Sequence, residues 1–160
     1  MELTKEQSAC VQAQIPVISL INAYYKRFGD DAFQVSREFG LQFGKQLGEN
    51  IKRGANIKGT DAKAVASVLN AFLQQASGAP VGVPEFVKIE GKEVTAANEG
   101  FCSIMEAVKA VGAPHDKICP NFSWLVFEGI ASSVNPKVKQ EVRESRALGN
   151  KRCRHVLIIP

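Results

Sequence analysis

The chain has 160 residues, 45% of them hydrophobic and 22% charged, with 13 Gly, 7 Pro and a net charge of +4. Length and apolar content suit one core of ordinary size, so residues 1–160 read as a single domain, and a collagen-like, low-complexity or disordered chain is excluded. Positive residues alternate with Glu and Asp, a balance that favours an anionic small ligand over nucleic acid.

The opening MELTKEQSACVQAQ has neither a basic nor an apolar leader region, and the apolar runs are far shorter than the roughly 18 residues of a membrane span. The expectation is a soluble, cytoplasmic protein with no integral membrane segment, whose four cysteines are thiols, metal ligands or buried small side chains.

Thr4-Lys5-Glu6-Gln7 fits a capping box and opens a short first helix. Pro16 suits the first turn of a second, in which Val17, Leu20, Ile21, Tyr24 and Phe28 recur at helical steps until Gly29. Asp30 or Asp31 caps a third, which carries Phe33, Phe39, Phe43, Leu47 and Ile51 and ends near Gly54. Gly40, Gly44 and Gly48 share one face of it and admit another backbone, a ligand or a second copy of the chain.

Thr60 caps a fourth helix, with Val65, Val68, Leu69, Phe72 and Leu73 as its stripe and Ser77-Gly78 as its stop. Pro80 and Pro84 break the helical pattern, and EFVKIEGKEVTA alternates about a Gly turn as a hairpin does, with Val87, Ile89 and Val94 facing the core. Ser103 to Glu106 forms a second capping box, directly after Cys102. Pro120 and Asn121 open another helix directly after Cys119, with Phe122, Leu125, Val126, Gly129 and Ile130 on one face. Val138 to Leu148 and Arg152 to Ile159 form a terminal hairpin about Gly149-Asn150-Lys151. Helices followed by strands, without βαβ alternation, make the fold α+β, with two hairpins and a helical pair between them.

In the last strand Cys153, His155, Leu157 and Ile159 share one face. If that face meets the helices opened by Cys102 and Cys119, three thiols and an imidazole converge. Three readings stay open for them. Cys102, Cys119, Cys153 and His155 are a ligand set that zinc accepts, although no close C-x-x-C pair is present. A cysteine at a helix N-terminus, Cys119 or Cys102, has the environment of a nucleophile with His155 or His115 as base, helped by Arg152 and Arg154. Buried cysteine and a satisfied strand histidine are also ordinary core residues. Arg143, Arg146, Lys151, Arg152 and Arg154 would receive an anion or form a solvated face. Cys10 only packs. Phosphate-loop, dinucleotide and hydrolase-elbow motifs do not occur, and base-stacking aromatics are not interleaved with the basic residues.

The segments GFCSIMEAVKAVG, DKICPNF and LGNKRCRHV together resemble the 4-vinyl reductase type of small-molecule-binding domain and the related L-2-amino-thiazoline-4-carboxylic acid hydrolase-like family. The resemblance implies a fold akin to the heme-NO-binding and TRAPP-type ligand-binding domains, where helices and an antiparallel sheet enclose a hydrophobic or lipid-like molecule. The expectation is then a sensor or carrier for a hydrophobic small molecule such as a fatty acid, held by Gly40, Phe43, Gly44, Phe122 and Trp124 with Arg152 as a basic rim. The alternatives are a thiol-dependent hydrolase of a small cyclic amide or thiazoline, and a structural subunit that forms a homodimer through the glycine face.

Overall fold

The computed structural model describes residues 2–77 and 87–160; the expected breaks at Gly78, Pro80 and Pro84, and Phe86 of the hairpin, lie outside them. Helix α1 (Lys5–Phe28) begins at the expected capping box: Thr4 Oγ1 accepts from the Gln7 N–H at 3.2 Å and the Gln7 side chain accepts from the Thr4 N–H at 3.1 Å. It does not stop at Pro16. The proline is exposed, so the carbonyl that loses its helical partner faces water, and Val11, Ile18 and Ile21 bury the opposite face along the helix. Burial of that row offsets a penalty of about 3 kcal/mol for an interior proline.

A 3-10 turn (Gly29–Asp31) leads into α2 (Ala32–Gly54), whose cap position Asp31 makes no side-chain capping bond. Helix α3 (Ala62–Ser77) is capped by Asp61, not Thr60: the Asp61 carboxylate accepts from the Ala64 N–H at 2.9 Å. Strands β1 (Val87–Glu90) and β2 (Glu93–Asn98) form the first hairpin about Gly91, which has φ +61°. Val87 and Val94 are buried as expected; Ile89 is 47% exposed because β1 lies at the sheet edge.

Helix α4 (Ser103–Val111) has Cys102 itself as its cap residue, and the Glu106 carboxylate is taken by Lys109 at 2.8 Å instead of closing a capping box. The next helix starts at His115, five residues earlier than Pro120 suggests. It runs as α5 (His115–Ile118), a π-helical turn (Cys119–Ser123) and α6 (Trp124–Val134). Pro120 supplies no N–H, and the bonding slips by one residue so that Trp124 N–H donates to the Cys119 carbonyl. Asn121 Nδ2 donates to the Lys117 carbonyl at 2.7 Å, and Arg37 of α2 donates to Asn121 Oδ1 at 2.7 Å.

Strands β3 (Lys139–Glu144) and β4 (Cys153–Ile158) form the terminal hairpin. Arg146–Leu148, expected to be extended, is a 3-10 turn, since Ser145 Oγ accepts from the Ala147 N–H and Asn150 Oδ1 from the Ser145 N–H. Among the described residues four strands make one antiparallel sheet in the order β1-β2-β4-β3, which confirms the α+β class. No described helix is long and apolar enough to cross a membrane.

The glycine face of α2 is covered by the π turn and α6. A Cβ on Gly40 would lie 2.9 Å from the Phe122 carbonyl oxygen, one on Gly48 2.8 Å from that of Ile130, and one on Gly44 would overlap that of Val126. Gly129 returns the contact, since a Cβ there would meet Lys45 N at 2.7 Å and overlap the Leu41 carbonyl. Backbone therefore packs on backbone, and this face is neither a dimer seam nor a ligand wall.

Adding a methyl at a helix-interior glycine normally gains about 0.5–1 kcal/mol. Here Gly44→Ala should instead lower unfolding stability by about 1–3 kcal/mol through overpacking. Gly54→Ala, with nothing within 4 Å, should not. Urea denaturation of both variants checks this; a neutral Gly44→Ala would contradict the close helix contact.

Candidate functional site

Because α6 is drawn onto α2, the side chains flanking the glycine row are pushed to either side of the contact. On one side Phe43 and Leu47 of α2, with Phe72 and Leu73 of α3, face the π turn, α4 and the sheet across a cavity of about 190 Å³. Phe122, Trp124, Val126 and Phe127 form another wall, Ala96 to Asn98 of β2 the floor, and Phe101 and Ile104 the far end. The polar exceptions include Cys102, Ser103, Cys119, Ser123, Cys153 and His155.

The expected convergence of Cys102, Cys119, Cys153 and His155 thus occurs as lining of a shared cavity. Strand alternation puts Cys153 and His155 on the cavity side of β4, opposite Asn98 and Ala96 of β2. Among the described residues, however, no three His, Cys, Asp or Glu side chains are grouped so as to hold a metal ion, so the four do not form a zinc cradle.

Burial works against a thiolate at both Cys119 and Cys102. Cys119 lies inside a continuous helix, where no free N–H groups stand before it, and burial pushes its thiol up to about 12. Burial also raises Cys102, against weaker help from the Met105 and Ile104 N–H groups and Arg146. Cys153 accepts from the Arg146 N–H at 3.4 Å and Cys119 approaches Ser123 Oγ at 3.9 Å; among the described residues no cysteine bonds to His155. His115 begins α5, and Cys10 donates to the Gln75 carbonyl at 3.5 Å.

His155 is buried, and its ring stacks on Phe127 at 4.4 Å and 10°, while Phe127 meets Phe72 edge-on at 5.5 Å. Burial drives the imidazole down to about 4, so it is neutral near pH 7. Its Nδ1 is buried with no hydrogen-bond partner. In a mainly apolar lining that is one unsatisfied polar atom, at a cost of about 1–3 kcal/mol unless something meets it.

The residues expected to hold a ligand divide. Phe43, Phe122 and Trp124 line the cavity; Gly40 and Gly44 lie against α6 and the π turn. Arg152 is not a rim residue, because its guanidinium grips Glu144 at 2.9–3.0 Å. The neighbouring cations are engaged likewise: Arg143 with Glu93 at 2.9 Å and Glu141, Arg154 and Lys151 with Glu144 and Glu99 at 3.9 Å, and Arg146 with the Gly100 carbonyl at 2.6 Å. The expected anion receiver is an ion-paired outer face. The Arg143–Glu93 pair spans β4 over the face that carries Val156.

Sequence reasoning missed Phe127 and Phe101. Phe127 falls five residues after Phe122, off the helical period, because of the π turn; the aromatic density of FSWLVF was the available signal.

Above pH 6.5 His155 is neutral in both folded and unfolded chains. As pH falls from 6.5 to about 4 the unfolded chain gains a proton that the folded chain refuses, so stability should drop by about 3 kcal/mol across that window. His155→Leu should show a flatter profile between those pH values in urea titrations; identical slopes would contradict a neutral, buried imidazole.

Comparisons of the chain with protein-family models, with curated proteins and with solved structures find no match.

Proposed function

We propose that this protein binds a small hydrophobic molecule in the cavity beside His155, as a sensor or carrier domain. The observation that carries the reading is the unpartnered Nδ1 of a buried, neutral histidine in the wall of an otherwise mainly apolar cavity. With the ring hydrogen on Nε2, Nδ1 accepts, and the ligand would then bring one N–H or O–H donor and apolar bulk elsewhere.

Size narrows the class. A cavity of about 150 Å³ encloses benzene, and this one is about 190 Å³. It suits a single ring with a short substituent, a small bicyclic or a short acyl chain; a long-chain fatty acid would leave most of its length outside. Aromatic rings on several walls favour a flat ligand. The resemblance to small-molecule-binding domains in the C-terminal segments points the same way, although fold alone does not transfer function. A reducing, cytoplasmic setting belongs to this reading and accords with four free cysteines.

Indole and indene match in shape and differ in one N–H. Calorimetry should find indole bound, and indene about tenfold weaker, the worth of one hydrogen bond to a desolvated acceptor. His155→Leu should abolish the difference. Failure of both probes to bind, or equal affinity for the two, would sink the proposal.

A further inference from the structure

The cations of the terminal hairpin are engaged, but those at the C-terminal end of α2 are not. A hollow of about 590 Å³ opens there, between the last turn of α2, the connection to α3 and Ser133 of α6. Its walls carry Lys52, Arg53 and Lys58 against one carboxylate, Glu49. Among the described residues none of these three cations is ion-paired. Arg53 is held by a neutral group instead: its Nη2 donates to Asn50 Oδ1 at 2.7 Å, which fixes the guanidinium and leaves its charge in place.

Lysine and arginine in a last helical turn commonly serve the bare carbonyls of their own helix. Backbone groups fill that role here. Ala55 N–H donates to the Ile51 carbonyl at 2.9 Å, Asn56 N–H to that of Arg53 at 3.2 Å, and Ile57 N–H to that of Lys52 at 2.9 Å. The last of these bonds reaches back across Asn56, which takes the left-handed conformation at φ +51°. Asparagine rather than the commoner glycine at that turn places an amide in the wall of the hollow, able to donate or accept.

We propose that this hollow is a binding site for a small phosphate-bearing anion, separate from the cavity beside His155. Glu49 and the partial negative charge at the end of α2, about half a unit, leave the surroundings positive. Like charges around one hollow repel, and an anion between them turns that cost into attraction. The planar fork of Arg53 and the two ammonium groups suit the oxygens of a phosphate. The Ser133 hydroxyl already donates to the Ile130 carbonyl at 2.7 Å, so the donors come from the three cations and Asn56. The volume lies within the roughly 300–1,000 Å³ of small-molecule sites, enough for a phosphate ester with an organic part. Nucleic acid fits less well, since none of the residues lining the hollow is aromatic and a base would have nothing to stack on.

Calorimetry of the full chain with inorganic pyrophosphate tests this, at about 0.1 M salt, where the Debye length is about 10 Å. Pyrophosphate should bind at a single site, and Lys52→Gln and Lys58→Gln should each weaken it about five- to tenfold. Glu49→Gln should tighten it about threefold, because a repelling carboxylate is removed. Lys26→Gln changes the net charge as the lysine variants do, but lies near the other end of α2, about 30 Å away along that helix, and should leave affinity within about twofold. Circular dichroism of each variant establishes that it is folded. Absence of pyrophosphate binding, an equal loss in Lys26→Gln, or a Glu49→Gln that binds no tighter would each overturn the proposal. So would tighter binding of a single-stranded oligonucleotide than of pyrophosphate, which would assign the hollow to nucleic acid. None of these outcomes bears on the indole measurement, which reads the other cavity.

Discussion

The contact between α2 and α6 sets the rest of the molecule. Three glycines at four-residue spacing on one helix and Gly129 on the other let backbone meet backbone at Gly44 and Gly129, with the Ser133 hydroxyl seated against Gly48. Four helix-interior glycines together cost a few kcal/mol in propensity, so the sequence has exchanged local helix stability for approach. Once the axes are that close, Phe43 and Leu47 cannot lie between the helices, and they define a wall instead. The π turn belongs to the same constraint. Pro120 forces the slip, Asn121 and Arg37 tie the slipped turn to α2, and the extra residue delivers Phe122 and Phe127 to the cavity.

Much of this was legible in the chain, because the deciding interactions were local. The Thr4–Gln7 box, the stop at Gly29, the glycine row, the Gly91 hairpin and the alternation of β4 each depend on neighbours a few residues away. What could not be read depended on partners distant in sequence or on competition between neighbours. Pro16 is carried inside α1 on its exposed side, which depends on how distant elements pack on the opposite face. Asp61 outcompetes Thr60 as a cap because its carboxylate is the better acceptor for Ala64 N–H. Arg152 reads as a free cation until Glu144, eight residues away across a hairpin, is seen to occupy it.

The site followed the same division. Alternation correctly paired Cys153 with His155, and the segments around Cys102 and Cys119 do face the same space. The chemistry of the cysteines was not legible, since it turns on burial. A thiol before a helix is activated where it is open to solvent, whereas burial raises both Cys102, at the cap of α4, and Cys119, inside a helix that begins at His115. Among the described lining residues, the imidazole of His155 is the group with a buried, unpartnered polar atom. Burial keeps it neutral, and its Nδ1 has no hydrogen-bond partner. A stability-driven core would more readily place leucine there, and the persistent cost of an unpartnered polar nitrogen is what marks a candidate binding site.

The close approach of α6 to α2 leaves a mainly apolar cavity between α2, α3 and the sheet. Diffraction from crystals under xenon pressure tests it most directly, since xenon enters cavities of this size and character and not hydrated ones. A xenon peak among Phe43, Phe72, Phe122 and Phe127 is expected. Ordered water in that space with no xenon, or side chains collapsed to fill it, would contradict the claim.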